Sequence, residues 1–376
     1  MRAVRDAEHR VLHRDPHGFC AHPHLVRCGG ELLVVFNWSP RRAFVLHPPQ
    51  EPLVHNLLTR SADEGASWSA PVVVPDYGWS GVECAGLTDL GGGRLMLNQW
   101  RFRWHPLPAA RRHPNRAALA FPSDLAAGLL DSSELDSGSA VAADPERLMP
   151  WARDLGATYV HLSPDGGRTW PEGDLPDVQP FAGGYGMRGG VVLDDGTVLL
   201  PLCDAPRYAS GFVPRSDDGG HTWSAPVTAA AVDDRLFEEP APLLLPSDRV
   251  LLLLRENRSR SLWSTRSDDG GLSWSPPEPT GIGGYPAHLC PLPDGRILCT
   301  YAVRHGPRAI LAVTSRDEGR SWDAAAPLVV RGDLPDKDLG YPCTLALSGG
   351  RLLSVYYARD ETGTTYIQAT GWTLPA

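Results

Sequence analysis

The chain has 376 residues, and its 35 basic and 44 acidic side chains give a formal net charge of −9. No stretch combines basic residues with aromatics and no apolar run approaches about 18 residues, so the sequence predicts neither a nucleic-acid partner nor a membrane span. The first 13 residues lack the apolar segment of a signal peptide, and the seven cysteines form no CxxC pair. Both features favour a reducing, cytoplasmic location.

A two-strand pattern occurs six times along the chain. Each copy has an apolar strand, a turn that in most copies contains Gly or Asp, and a second apolar strand, which is typical of a β-hairpin. In chain order the copies lie at 21–36, 83–100, 187–202, 239–255, 285–301 and 341–357. We number the segments that begin with these copies as units one to six.

An octapeptide of the form S-x-D-x-G-x-S/T-W follows each of the first five copies, and we call it the Asp box. The boxes are SADEGASW (61–68), SPDGGRTW (163–170), SDDGGHTW (216–223), SDDGGLSW (267–274) and SRDEGRSW (315–322). An Asp that accepts backbone N–H bonds, a Gly with positive φ and a Trp beneath the turn suit a tight hairpin. Each box therefore predicts a further pair of strands.

The spacing of the boxes predicts how the units are arranged. The serines that open the last four boxes are about 50 residues apart, whereas Ser61 and Ser163 are about twice as far apart, which places an insert at about 103–155 in unit two. Unit six has no box, and residues 2–14 are expected to supply its missing strand. The sequence thus predicts an all-β fold, a single six-bladed β-propeller over 1–376.

Asp boxes on six predicted blades resemble the sialidase (neuraminidase) superfamily, and the resemblance covers essentially the whole chain. The resemblance implies that function lies at a central pocket, which the first residues of each innermost strand face. A fold alone does not define a reaction, so these residues must carry it. The residues at equivalent positions are His22 and His24, Glu83 and Cys84, Met187 and Arg188, Glu238 and Glu239, Tyr285 and His288, and Tyr341 and Cys343.

The resemblance implies roles for several of these residues. Tyr341 stands where the family has its nucleophile, and Glu239 stands where the family has the glutamate that assists it. The family holds a substrate carboxylate with arginines, because a guanidinium group binds a carboxylate through two hydrogen bonds. Arg255, and either Arg308 or Arg304, resemble these arginines, and Arg188 is also expected to bind the anion.

Unit one departs from the family pattern. His22-Pro23-His24 stands where the family has its first arginine, and the stretch 44–61 contains no Asp for the acid/base role. Imidazole titrates near neutral pH, so His22 is predicted to act as an acid or base together with Glu83.

The remaining candidates are predicted to contact the ligand, since polar groups orient a sugar and aromatic rings stack on it. They are His24, Trp38, His47, Glu238, Tyr285 and His288. No cofactor is predicted, although a strand with the pattern Cys-x-His-x-His is also compatible with a divalent metal at His22 and His24.

Together these residues predict a sialidase-like glycoside hydrolase that acts on an acidic or modified sugar, with a small, anionic carbohydrate or glycoconjugate as its partner. Two alternatives remain open. One is a lyase that eliminates next to a uronic acid, with His and Tyr as base and acid. The other is a carbohydrate-binding propeller without activity.

Overall fold

A computed structural model describes residues 1–41, 51–76, 80–125, 144–171 and 173–375 of the chain, and this part is an all-β structure. Its helical segments include α1 (Leu107–Ala110), α2 (Pro145–Leu148) and two 3-10 turns (Arg116–Ala118 and Ser348–Gly350), and residues 122–125 are also helical. The described helices are all too short to span a bilayer.

The N-terminal half begins with two strands that precede the first unit, β1 (Arg2–Ala3) and β2 (Arg5–Arg14). Unit one is a four-stranded antiparallel sheet of β3 (Gly18–Cys28), β4 (Glu31–Pro40), β5 (His55–Ser61) and β6 (Val72–Val73). Unit two consists of β7 (Ser80–Gly91), β8 (Arg94–Pro106), β9 (Trp151–Arg153) and β10 (Ala157–Ser163), in which β9 pairs with the end of β8.

The predicted insert of unit two overlaps regular strands at both of its ends. Strands β8 and β9 extend into the predicted range 103–155 from both sides, because their ends pair with each other. In the described part between them, Leu107, Ala110 and Leu119 pack with Ala152 of β9 in a small apolar core. Residues 126–143 of the predicted insert lie outside the described residues.

Unit three is divided into two three-stranded sheets. One contains β11 (Val191–Val192), β12 (Val198–Leu199) and β15 (Arg215–Ser216), and the other contains β13 (Leu202–Cys203), β14 (Ser210–Val213) and β16 (Val227–Ala231). The division occurs at Pro201 and Pro214, which have no N–H to donate to a strand ladder. The carbonyl of Pro214 still accepts from the N–H of Leu200 at 3.2 Å.

Units four and six are four-stranded antiparallel sheets, and unit five contributes four antiparallel strands to a five-stranded sheet. Unit four contains β17 (Phe237–Leu244), β18 (Val250–Glu256), β19 (Ser261–Ser267) and β20 (Glu278–Gly283). Unit five contains β21 (His288–Pro291), β22 (Ile297–Val303), β23 (Ala309–Ser315) and β24 (Leu328–Arg331). Unit six contains β25 (Gly340–Ala346), β26 (Arg351–Arg359) and β27 (Thr365–Thr373), and β2 completes it by pairing with β27, as the sequence predicts. Strand β1 pairs in parallel with β24 of unit five.

The first strands of the units contact one another in cyclic order. Strand β3 contacts β7 and β25, β7 contacts β11, β11 contacts β17, β17 contacts β21, and β21 contacts β25. The order runs from unit one through unit six and returns to unit one. We call the interior that these first strands surround the central shaft.

The five Asp boxes share one hydrogen-bond pattern. The Oγ atom of the opening Ser accepts from the N–H of the Gly four residues later at 2.7–2.9 Å. The Oδ1 atom of the Asp accepts from the N–H of the following Ser or Thr at 2.8–2.9 Å. Because the Gly has positive φ in every box, a residue with a Cβ is disfavoured there.

The Asp boxes also join neighbouring units. A Cβ at Gly319 of unit five would lie 2.5 Å from Leu251 of unit four. A Cβ at Gly65 of unit one would lie 2.9 Å from Leu353 of unit six. A box thus packs against the unit before it, and for unit one that neighbour is unit six.

Arg188 of unit three joins three other units inside the central shaft. Its Nε atom donates to the carbonyl of Ala287 at 3.2 Å, Nη1 donates to Pro23 at 3.2 Å, and Nη2 donates to Pro342 at 2.9 Å. The residue is only 3% exposed. This differs from the sequence prediction that Arg188 binds a substrate anion, because each of its nitrogens is engaged by the backbone.

Removing the carboxylate of one box is expected to destabilise the fold. Burial opposes the ionisation of Asp317, but hydrogen bonds from Ser321 and Ser315 outweigh it and lower its pKa to about 2. Asp317→Ala should reduce the free energy of unfolding by about 1–2 kcal/mol at pH 7. The folded-state pKa is depressed, so this stabilisation is present above about pH 4 and is lost as the pH falls toward 2. Urea unfolding at several pH values measures it.

The matched control for this variant is Asp233→Ala, which removes an exposed aspartate outside the boxes. It should change the unfolding free energy by less than about 0.5 kcal/mol. Equal effects of the two substitutions would show that the box aspartate does not hold its hairpin.

Truncating Arg188 tests whether it is a structural residue. Arg188→Met leaves three buried carbonyls without their donor, so we expect a loss of at least about 3 kcal/mol in unfolding free energy. Arg308→Met is the control, because the sequence assigns both arginines to the same role but Arg308 is exposed. Similar urea midpoints for the two variants would contradict the structural role.

Candidate active site

Four of the first strands carry a β-bulge, and in three of them, β3, β17 and β25, the bulge contains a residue with positive φ. The pairing register shifts between Ala21 and His24 in β3, between Glu238 and Ala241 in β17, and between Gly340 and Cys343 in β25. The residues in these bulges with positive φ are His22, Glu239 and Tyr341, each with φ of 53°. A bulge redirects a side chain and stores backbone strain, which is common at functional sites.

Tyr341 and Glu239 meet inside the shaft although they are 102 positions apart in the chain. Tyr341 Oη donates a hydrogen bond to Glu239 Oε1, and Arg255 Nη1 lies 3.4 Å from the same oxygen. Burial first, and then the nearby Glu239, raise the pKa of Tyr341 well above its ordinary value. Tyr341 is therefore a neutral phenol near pH 7, with a carboxylate oxygen in place to receive its proton.

Two guanidinium groups lie beside this pair. The Cζ atom of Arg255 is 4.0 Å from the centre of the Tyr285 ring. The Cζ atom of Arg304 is 5.9 Å from the Tyr285 ring and 5.5 Å from the Tyr341 ring, and its Nε donates to the carbonyl of Leu339 at 2.8 Å. Cations held against aromatic faces keep a fixed orientation. Their positive charge next to Tyr341 suits an anionic ligand.

His22 and Glu83 complete the cluster on its other side. His22 Nδ1 lies 3.4 Å from Glu83 Oε1 and 2.7 Å from Asn37 Oδ1. The His22 ring centre is 4.2 Å from that of Tyr341. Burial lowers the pKa of His22 to about 4, so its imidazole is neutral near pH 7. The structure thus brings together seven of the residues that the sequence selects. They are His22, Glu83, Glu239, Arg255, Tyr285, Arg304 and Tyr341.

Three further candidates have other surroundings. Glu238 is paired in register with Arg255 and accepts from the side chain of Asn257. Arg308 is exposed and donates to the carbonyl of Pro335 instead of reaching the cluster. Trp38 donates from Nε1 to Asp15 at 2.9 Å and packs against His55. His47 lies outside the described residues.

The predicted metal pair is separated by the bulge in β3. The sequence places His22 and His24 on the same face of a regular strand, but the register shift after Ala21 interrupts the alternation. His22 contacts Asn37 and Glu83, whereas His24 Nδ1 accepts from the N–H of Leu87 at 2.9 Å. The two imidazoles therefore belong to different clusters.

His24 instead approaches His288 and Cys343, and one ligand atom of each lies within 4.8 Å of the others. His24 and His288 both accept at Nδ1 from backbone N–H groups, those of Leu87 and Thr344, so Nε2 carries the proton of each neutral ring. Burial raises the pKa of the Cys343 thiol to about 11. A metal needs unprotonated ligand atoms. These hydrogen bonds disfavour a metal at this position.

Sequence reasoning missed four polar residues next to the cluster. Asn37, Asn56 and Gln99 are buried on middle strands, and Asp338 accepts from Tyr357 Oη at 2.8 Å. Burial raises the pKa of Asp338. The sequence feature that could have identified the three amides is a polar residue inside an otherwise apolar strand. A polar group buried at such a position needs a hydrogen-bond partner.

The sequence also contains a signal for the bulges. Each of the three strained residues is followed by a proline, as Pro23, Pro240 and Pro342. Within sheets proline is confined to edges, strand starts and bulges. A proline that recurs at the same position of the repeat therefore marks the residue before it as one that turns into the shaft.

Comparison with known proteins agrees with this architecture. A family model described as a BNR repeat-like domain matches residues 147–353. No curated protein has a sequence that matches the chain. Among solved structures, a protein of unknown function from Dyadobacter fermentans DSM 18053 is 23% identical, with a TM-score of 0.83 and full coverage of both chains.

Two enzymes of the sialidase type share the fold at lower identity. The leech intramolecular trans-sialidase, solved with 2,7-anhydro-Neu5Ac, is 13% identical with a TM-score of 0.68, over 97% of this chain and 70% of that one. The intramolecular trans-sialidase of Ruminococcus gnavus is 15% identical with a TM-score of 0.65, over 97% and 96%. In agreement with the resemblance of its Asp boxes, the chain belongs to the BNR repeat-like domain family.

Proposed function

We propose that this protein is a sialidase-like glycoside hydrolase that acts on a small acidic sugar in the central shaft of a six-bladed β-propeller. The observation that carries the proposal is the hydrogen bond from Tyr341 Oη to Glu239 Oε1 beside two arginines. The cyclic contacts of the first strands, and the packing of the Asp box of unit one against unit six, support the propeller.

The pair is suited to nucleophilic catalysis. Tyr341 Oη attacks the anomeric carbon, its proton passes to Glu239 Oε1, and the bond to the leaving oxygen breaks. The leaving oxygen takes up one proton, and the water that then attacks the anomeric carbon of the glycosyl-tyrosine releases one. The bond from that carbon to Tyr341 Oη breaks, and the phenol oxygen recovers its proton from Glu239. A neutral nucleophile is advantageous here, because an anionic nucleophile would be repelled by the carboxylate of an acidic sugar.

Arg255 and Arg304 are the groups that bind this carboxylate. They flank Tyr285 and lie next to the nucleophile, so a carboxylate between them places the adjacent anomeric carbon near Tyr341. The leech enzyme is solved with 2,7-anhydro-Neu5Ac. Sialic-acid glycosides are therefore the first substrates to assay.

Substitution of the catalytic pair tests the proposal. We expect Tyr341→Phe and Glu239→Gln each to reduce kcat/KM for an aryl sialoside by at least about 100-fold, because each removes a participant in the bond-forming step. Release of the aryl alcohol is the measurement. Tyr356→Phe is the control, since it removes a buried phenol of the same unit whose hydroxyl bonds to Gln368. Activity above a tenth of wild type in both pair variants would overturn the mechanism.

A uronic-acid lyase is the second candidate, and the neutral His22 beside Tyr341 favours it. His22 would remove the proton next to the substrate carboxylate, a carbon–carbon double bond would form, and the leaving oxygen would take the proton of Tyr341. The arginines would neutralise the carboxylate in either reaction.

The products distinguish the two reactions. A hydrolase releases a reducing sugar without new ultraviolet absorbance, whereas a lyase forms an unsaturated sugar that absorbs. We expect reducing sugar alone from sialosides and no absorbance change with oligouronates. If neither product forms but an acidic sugar binds with an affinity that Glu239→Gln leaves unchanged, the protein is a binding module.

A further inference from the structure

We propose that three buried amides, Asn37, Asn56 and Gln99, form a directional relay that fixes the tautomer of His22, so that Nε2 is the nitrogen that accepts a proton. The relay connects units one and two behind the candidate active site. Its members are at most 1% exposed, and His22 is 5% exposed. The direction of its hydrogen bonds follows from one carbonyl group at the end of the relay farthest from His22.

The relay begins at the carbonyl of Pro75, which can only accept. Gln99 must therefore present its NH₂ group, and Nε2 donates to that carbonyl at 2.9 Å. The Oε1 atom of Gln99 then faces Asn56, whose Nδ2 donates to it at 2.9 Å. The Oδ1 atom of Asn56 in turn accepts from Nδ2 of Asn37 at 2.6 Å. Each amide is oriented by the one before it.

The last amide oxygen determines the state of His22. Asn37 Oδ1 lies 2.7 Å from His22 Nδ1, and since an amide oxygen can only accept, Nδ1 must carry the proton. The carboxylate oxygen of Glu83, 3.4 Å from the same nitrogen, favours the same tautomer. A neutral imidazole has one N–H, so Nε2 holds the lone pair.

Reversal of a single amide is unfavourable. For Gln99 or Asn56 it would oppose two oxygens on one side and two NH₂ groups on the other, and for Asn37 it would oppose its own oxygen and that of Asn56, among buried groups in each case. The tautomer therefore depends on a carbonyl three amides away. It contrasts with His24 and His288, whose Nδ1 atoms accept from backbone N–H groups.

The use of this lone pair in catalysis rests on the proposed function. As water attacks the glycosyl-tyrosine, the water oxygen bonds to the anomeric carbon and one water proton moves to His22 Nε2. The bond from the anomeric carbon to Tyr341 Oη breaks, and Glu239 returns its proton to that oxygen. The proton on Nε2 then passes to the leaving oxygen of the next substrate or to solvent, so the cycle balances.

The charge state of His22 also depends on the groups packed around it. Titratable and charged groups near it are Glu83 from β7, Glu239 from β17, Tyr341 from β25, Tyr357 from β26, and the guanidinium groups of Arg188 and Arg304. A change in the pH dependence of His22 must therefore be compared with that of variants in which all of these surrounding groups are retained.

The tautomer is tested by long-range ¹H–¹⁵N NMR of the histidine rings in the full chain, with His22→Gln to assign the signals. We expect the wild type to show a protonated Nδ1 and an unprotonated Nε2 from pH 8 to about pH 5. The key variant is Gln99→Leu, which does not touch His22 but releases the relay. It should shift His22 toward a mixture of tautomers.

Asn98→Leu is the matched control, because Asn98 is the neighbouring buried amide on β8 and bonds to the carbonyls of Gly186 and Arg188 instead of the relay. It should leave the His22 signals unchanged. A protonated Nε2 in the neutral wild-type ring, or identical spectra for Gln99→Leu and the wild type, would overturn the relay.

The catalytic use is tested separately with Asn37→Asp, whose carboxylate stabilises a protonated His22. We expect the pKa of His22 to rise by at least one pH unit in the NMR titration. With an aryl sialoside, whose leaving group needs no proton, kcat rises with pH as His22 loses its proton, so this rise should move to higher pH by the same amount. If the pKa moves and the kcat profile does not, His22 is not the base, although the relay stands.

Discussion

The buried guanidinium of Arg188 is the constraint on which the geometry of the shaft depends. Two of the three carbonyls that it binds belong to the prolines directly after His22 and Tyr341, and the third is that of Ala287, two residues after Tyr285. Strained backbone persists only where its surroundings hold it in place. A single cation from unit three therefore fixes the bulges of units one and six, which orient His22 and Tyr341 toward each other.

Burial also determines which side chains of the site are charged near pH 7. It raises the pKa of Tyr341 and lowers that of His22, so both are neutral near pH 7. The fixed positive charge beside them comes from Arg255 and Arg304. A neutral phenol and a neutral imidazole, next to two cations, favour a ligand that carries a negative charge of its own.

The sequence predicts the fold better than the site. Five copies of the Asp box and six hairpins define the units, because turn chemistry is local, and β2 completes unit six as expected. Local sequence does not distinguish Arg188 from Arg308. Arg188 lies in the shaft and Arg308 on the surface because of how units that are distant in the sequence pack together. The spacing of His22 and His24 is likewise misleading, because a bulge changes the alternation of side chains. No sequence motif indicates the amide relay. It becomes visible only from the hydrogen bonds that its members form across units one and two.

The most direct test is a crystal structure with a sialic-acid ligand soaked into the protein. We expect the carboxylate to lie within hydrogen-bond distance of Arg255 and Arg304, with the anomeric carbon above Tyr341 Oη. A ligand bound outside the shaft, or one whose carboxylate contacts neither arginine, would contradict it.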